Sequence, residues 1–186
     1  MQRLNNGSKI YNLVMTAMMM CLILVATSFF KIPVPMTQGY VHLGDAMIFL
    51  AVLLLGTRNG AIAAGFGSAL GDILGGYAFW APWTLAIKFL MALLMGLVIN
   101  ALDRGHVREN SRGLVLVEII GMIVGGLEMC AGYFIAERFL YGNWAAAAVA
   151  IPWNIGQFTV GIVVACVLSA ALCKTPARKY FTIRAE

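Results

Sequence analysis

The sequence predicts an all-α integral membrane protein: a single domain of six transmembrane helices with both termini on the cytoplasmic side. Three observations carry this reading. Of 186 residues, 61% are hydrophobic and only 11% charged, against about 25% charged in a soluble domain. The apolar residues gather into runs near the ~20 residues that a helix needs to cross a bilayer. The Lys and Arg residues, which set a net charge of +5, sit in short connections and at the termini. That pattern suits a lipid bilayer and argues against nucleic acid as a partner, which would select a basic stripe.

Taken in order, the first span covers residues 10–30. It is longer than the 7–15 apolar residues of a signal peptide and lacks a small-x-small cleavage site, so it reads as a helix of the mature protein. Segment 31–42, "KIPVPMTQGYVH", is an outer loop, either a plain connector or a lid. The second span, 43–55, is short. Gly56 and then Arg58-Asn59-Gly60 follow it, and because Asn-Gly favours turns, a tight turn is expected there rather than one long kinked helix. The remaining spans are 61–78, 83–102, 114–138 and 146–173, with the polar loop "RGHVRENSR" between the fourth and fifth.

With the N-terminus inside, the inner face collects Arg3, Lys9, Arg58, Arg104, Arg108, Arg112, Lys174, Arg178, Lys179 and Arg184, and the outer face only Lys31 and Arg138. That asymmetry fixes the orientation. The four cysteines, Cys21, Cys130, Cys166 and Cys173, lie in apolar runs without ligand-like spacing and read as small hydrophobes.

Lys88 is the anomaly, a lysine inside the fourth span. Such a charge costs roughly 2.5–3.5 kcal/mol at a helix centre, so either it snorkels to the interface or a polar pocket employs it. At 1.5 Å per residue, Lys88 lies about 8 Å and Glu128 about 15 Å below the outer boundary. Asp45, Asp72, Trp153, Asn154 and Gln157 also fall in the outer half. Glu128 is the natural counter-charge, and Asn154 and Gln157, three apart, share a helix face. Polar groups confined to one half suit a cavity open to one side better than a through-channel. Tyr77, Trp80, Trp83, Tyr133, Trp144 and Trp153 form an interfacial belt, or in part the walls of a site for a flat ligand. The series Gly67/Gly71/Gly75, Gly121/Gly125 and Gly161/Ala165/Ser169 suit close helix packing or docking of another membrane protein. There is no phosphate-cradling loop, no catalytic signature, and no metal or cofactor motif. If the protein concentrates a solute using ATP, the ATPase is another polypeptide.

The motifs H-L-G-D-A (residues 42–46), G-D-I-L-G-G-Y (71–77) and P-W-T-L-A-I-K (82–88) resemble the substrate-binding S components of energy-coupling factor (ECF) vitamin transporters. The branch they resemble handles riboflavin, hydroxymethylpyrimidine and pyridoxine-like compounds. The resemblance covers nearly the whole chain. It implies a non-enzymatic, multi-pass protein of the bacterial plasma membrane that captures a vitamin or precursor from outside. Its partners would be a transmembrane coupling protein and two cytoplasmic ATPase subunits, and no cofactor is implied. The site would lie under loop 31–42, between the fourth, fifth and sixth helices. Lys88, Glu128, Trp153, Asn154, Gln157, Tyr77, Trp83 and His42 are the candidate substrate-binding residues. The family's A-x-x-x-A docking face has its counterpart in Ala17-x-x-x-Cys21. Two other classes stay open, a membrane enzyme using Asp45, Asp72 and Glu128, and a structural subunit.

Overall fold

A computed structural model describes residues 2–29, 31–34, 40–103 and 111–176. Most of loop 104–112, with His106, and several of the inner-face basic residues lie outside these. The described chain forms α1 (Gln2–Phe29), a two-stranded antiparallel hairpin of β1 (Lys31–Pro33) and β2 (Tyr40–His42), then α2 (Gly44–Leu74), α3 (Ala81–Asp103), α4 (Ser111–Tyr141) and α5 (Trp144–Cys173). All five helices are long and apolar enough to cross a membrane.

Five helices stand where six spans were expected, because the second and third spans form the two arms of α2. Its backbone breaks at Gly56, at φ 75° and ψ 178°, a region essentially reserved for glycine. The expected turn at Arg58-Asn59-Gly60 is helical instead. Gly60 serves close approach: a Cβ there would lie 2.7 Å from the Cα of Val52, whereas a straight helix would hold the two about 12 Å apart. Gly44 at the start of α2 and Gly71 near its end both abut Thr27 of α1. The second arm therefore folds back along the first, and Asp45 and Asp72 come to the same end of the bundle.

The glycine series serve internal packing. Gly67 faces the Met20 carbonyl of α1, Gly121 and Gly125 face the Met95 and Met91 carbonyls of α3, and Gly161 faces Asp45. Between these contacts lies a core of Ile48, Phe49, Met91, Met95, Ile99, Met122 and Met129, none of them exposed. Small residues let backbones meet closely where apolar burial gives helices no drive to associate in lipid.

Two helix ends position the site. Tyr77 N–H bonds to Asp72 O (2.8 Å) and Gly76 N–H to Ile73 O (3.3 Å), with Gly76 at φ 84°. This 6→1 and 5→2 pair ends α2 sharply and turns the chain toward Trp80. Gly142, at φ 67°, joins α4 to α5, whose first turn is capped by the Asn143 side chain accepting from Ala145 N–H (2.9 Å).

Candidate functional site

Lys88 of α3 does not snorkel. Its Nζ lies 2.5 Å from Oδ1 of Asp45, and both side chains have no exposure. Asp45 is in the first turn of α2, where the helix dipole favours a negative charge. The other carboxylate oxygen accepts from Gln157 Nε2 of α5 at 2.8 Å, and Gln157 Oε1 accepts from the His42 backbone N–H of β2 at 2.9 Å. Met129 and the Tyr133 ring close over the ammonium. One fully buried ion pair thus ties α2, α3 and α5 to the hairpin.

Glu128 is not the partner of Lys88. It is half-buried on α4, its Oε2 accepts no hydrogen bond, and it lies outside the cavity described next. On α4 the inward row is instead Met129, Tyr133 and Glu137, at the i, i+4 spacing of a shared face.

Near the pair is a small cavity of about 30 Å³, room enough for ordered water. The hairpin walls it with Val34, Tyr40 and His42, the α2–α3 end with Asp72, Trp80 and Thr84, α4 with Tyr133 and Glu137, and α5 with Asn154 and Gln157. Tyr40 donates to Asp72 Oδ1 at 2.5 Å. Burial and the Asp72 carboxylate push the Tyr40 hydroxyl's pKa far up, so it stays protonated and keeps donating. Burial, helped by the Lys88 charge and opposed by Asp45, pushes His42 down to about 3. His42 is therefore a neutral ring whose Nδ1 accepts from Gly44 N–H at 2.9 Å.

The other expected site residues divide. His42, Asn154 and Gln157 line the cavity. Tyr77 supports it from behind, its ring 4.6 Å from that of Tyr40 with the Lys31 ammonium over both. Trp83 points elsewhere and stacks on Phe139 at 6.0 Å. Trp153, 38% exposed, lines a separate apolar groove of about 290 Å³ with Ile32, Val41 and Pro152. His42 and Gln157 border both spaces.

Tyr40, Thr84, Glu137 and the Asp45 partner were not among the expected binding residues, while Trp80 and Tyr133 were expected only as aromatics of the belt or of a ligand-site wall. Spacing held a signal for several of them: Trp80, Thr84 and Lys88 repeat every four residues, as do Met129, Tyr133 and Glu137. Chemically the arrangement binds. It offers aromatic walls, carboxylates, amides and an indole N–H around a small space, and the nearby buried Lys88 ammonium is already neutralised by Asp45.

The family model described as "ECF-type riboflavin transporter, S component" matches residues 7–174. The chain belongs to this family. Among relatives of this S component, an uncharacterized protein of Pyrococcus woesei is 37% identical over 124 residues, covering 67% of this chain and 76% of that one. The thiamine precursor transporter HmpT of Lactococcus lactis subsp. cremoris (strain MG1363) is 29% identical over 174 residues, covering 93% and 94%. A solved S component of a bacterial ECF transporter superposes with a TM-score of 0.64 at 23% identity, covering 89% of this chain and 97% of that one, and so shares the fold. The protein is a multi-pass membrane subunit of a transporter family rather than of an enzyme family.

Proposed function

We propose that this S component is the high-affinity capture subunit of an ATP-driven importer for a small heteroaromatic vitamin or precursor, hydroxymethylpyrimidine or a pyridoxine-like compound. The observation that carries the reading is the cavity itself, with aromatic walls and buried polar groups contributed by four helices and the hairpin. Small-molecule sites combine these features. The name of the Lactococcus relative favours a thiamine precursor. Riboflavin is the second reading, favoured by the description of the family model.

The cavity is tight for a ligand of this kind, and one wall yields on binding. The hairpin within segment 31–42 is that wall and acts as a lid, held by the Tyr40–Asp72 and His42–Gln157 hydrogen bonds. Residues 35–39 of the lid lie outside the described ones. Counting the arms of α2 as separate crossings makes six and leaves both termini on the cytoplasmic side, in keeping with the basic residues. ATP hydrolysis comes from a transmembrane coupling protein and two cytoplasmic ATPases. The coupling protein docks on the α1 face bearing Ala17 and Cys21, both exposed between Leu13, Met18 and Leu22.

Mass spectrometry of small molecules that co-purify with the detergent-solubilised protein, followed by titration, tests the reading. A stoichiometric pyrimidine, pyridoxine-like compound or flavin is expected. A protein that carries none of these and binds none on titration would overturn it in favour of a structural subunit.

A further inference from the structure

Two groups in the cavity wall have work left undone. Glu137 is 4% exposed and Trp80 is 4% exposed, yet Glu137 Oε2 and Trp80 Nε1 are both buried without a hydrogen-bond partner. Asp72 is similar, with Tyr40 on one oxygen and no hydrogen bond to the other. An unmet buried polar atom is costly, and native interiors keep few of them. Here an orphaned acceptor and an orphaned donor border the same small cavity.

The charge balance of that wall is one-sided. Asp72 and Glu137 line it, and among the described residues no Lys or Arg does. Lys88 is spent on Asp45, Lys31 lies over the Tyr40 and Tyr77 rings, and the Arg138 guanidinium lies over Trp144. A phosphate ester or a carboxylate would enter against two carboxylates with no cation to receive it. A group rich in N–H donors would meet an acceptor already desolvated and waiting.

We propose that Glu137 and Trp80 set the specificity of the site by reading an amino-substituted heteroaromatic edge. The exocyclic N–H donates to the Glu137 carboxylate, and a ring nitrogen or hydroxyl oxygen accepts from Trp80 Nε1. This deepens the capture function proposed above and rests on it. The ligand class is a 4-aminopyrimidine-type base, unphosphorylated, in preference to its oxo analogue. An oxo group in place of the amine exchanges the pattern, the exocyclic group becoming an acceptor and the adjacent ring nitrogen an N–H donor, so in the same pose an acceptor meets the Glu137 carboxylate and a donor meets Trp80 Nε1. Sites built to hydrogen-bond one group reject analogues lacking it far more strongly than apolar pockets do.

The test is calorimetric titration of the purified full-length protein in detergent with four probes: 4-amino-5-hydroxymethylpyrimidine, its 4-oxo analogue, its phosphate ester and riboflavin. The amino compound is expected to bind at least ~10-fold more tightly than the oxo analogue and the phosphate ester, the loss expected for one hydrogen bond to a charged group. Glu137→Gln is expected to narrow or invert the amino-to-oxo ratio, because an amide offers a donor to the oxo group. A merely structural role would weaken both compounds equally and leave the ratio alone. Trp80→Phe should cost the amino compound about tenfold. The wild-type probe series stands even if a variant fails to fold. Equal binding of amino and oxo compounds, or an unchanged ratio in Glu137→Gln, overturns the specificity assignment. Riboflavin binding in preference to the amino compound overturns it too, while leaving the capture function intact. Binding of none of the four probes by the wild type overturns the assignment, and the capture function falls with it only when a pyridoxine-like compound fails to bind as well.

Discussion

Breaking the buried ion pair from one side should be far more damaging than removing it from both. In Lys88→Met the Asp45 carboxylate stays at no exposure with only Gln157 Nε2 on its second oxygen. A buried charge stripped of its partner costs about 3–5 kcal/mol. For a chain of this size that corresponds to a fall in Tm of roughly 6–20 °C. Adding Asp45→Asn removes the orphaned charge and keeps an amide oxygen able to accept from Gln157. The double variant should therefore recover at least ~2 kcal/mol over Lys88→Met alone, since a buried pair replaced on both sides is often close to neutral. Thermal unfolding in detergent, read by near-UV circular dichroism across the four corners of the cycle, measures this coupling. Membrane insertion of Lys88→Met should stay normal, because methionine lowers the cost of inserting α3. A single variant as stable as wild type, or a double variant no better than the single one, would refute the buried pair and return Lys88 to the interface.

Other outcomes follow from the same geometry. Because His42 titrates near 6.5 when unfolded and at about 3 when folded, the unfolded chain binds the extra proton as pH falls. Its contribution to stability is full above about 6.5 and is lost progressively toward 3. His42→Gln should flatten a plot of Tm against pH over that window, and an unaltered slope would show that the ring is not buried neutral. Gly56→Ala, forced into φ 75° and ψ 178°, should lose roughly 1–3 kcal/mol by the same unfolding assay, and full stability there would argue against the break in α2. Glu128→Gln, outside the cavity, should leave ligand affinity within about twofold, or ~0.4 kcal/mol, whereas a tenfold loss on titration would place it back in the site. Ala17→Trp should abolish ATP-driven uptake while binding by the isolated protein persists, and undiminished uptake would move the docking face elsewhere.

What the sequence made legible was set by what is local. Length and composition of the apolar runs identify membrane helices because the bilayer imposes a length on each of them. Asn154 and Gln157 could be grouped because three residues make nearly one turn, and both do line the cavity. Lys88 could be flagged because a charge in an apolar run is conspicuous, but its partner lies 43 residues away. Depth alone made Glu128 a plausible counter-charge. Glu128 precedes the inward-facing Met129 by one residue, and one residue turns a helix face by about 100°. Trp83 fails for the same reason, one residue short of Thr84. Depth is nearly a one-dimensional property that residue number supplies, while facing depends on the packing of neighbouring helices. The break in α2 was displaced because Asn-Gly turn preference is weak beside helix continuation, whereas the φ and ψ of Gly56 are open to almost no other residue.

The order in which this chain is made gives the Asp45–Lys88–Gln157 network a second significance. Asp45 is synthesised first, Lys88 follows 43 residues later, and Gln157 comes 112 residues after Asp45. At about 5–20 residues per second the carboxylate waits roughly 2–9 s for its cation and roughly 6–22 s for its amide. Throughout that interval a nascent α2 carries the Asp45 carboxylate without its full set of partners. A ribosome-bound chain halted before residue 88 should therefore keep this end of α2 at the bilayer surface, and one halted after α3 should draw it inward. The Asp45 carboxylate gains its cation with α3 but has both oxygens satisfied only once Gln157 of the last helix has been made.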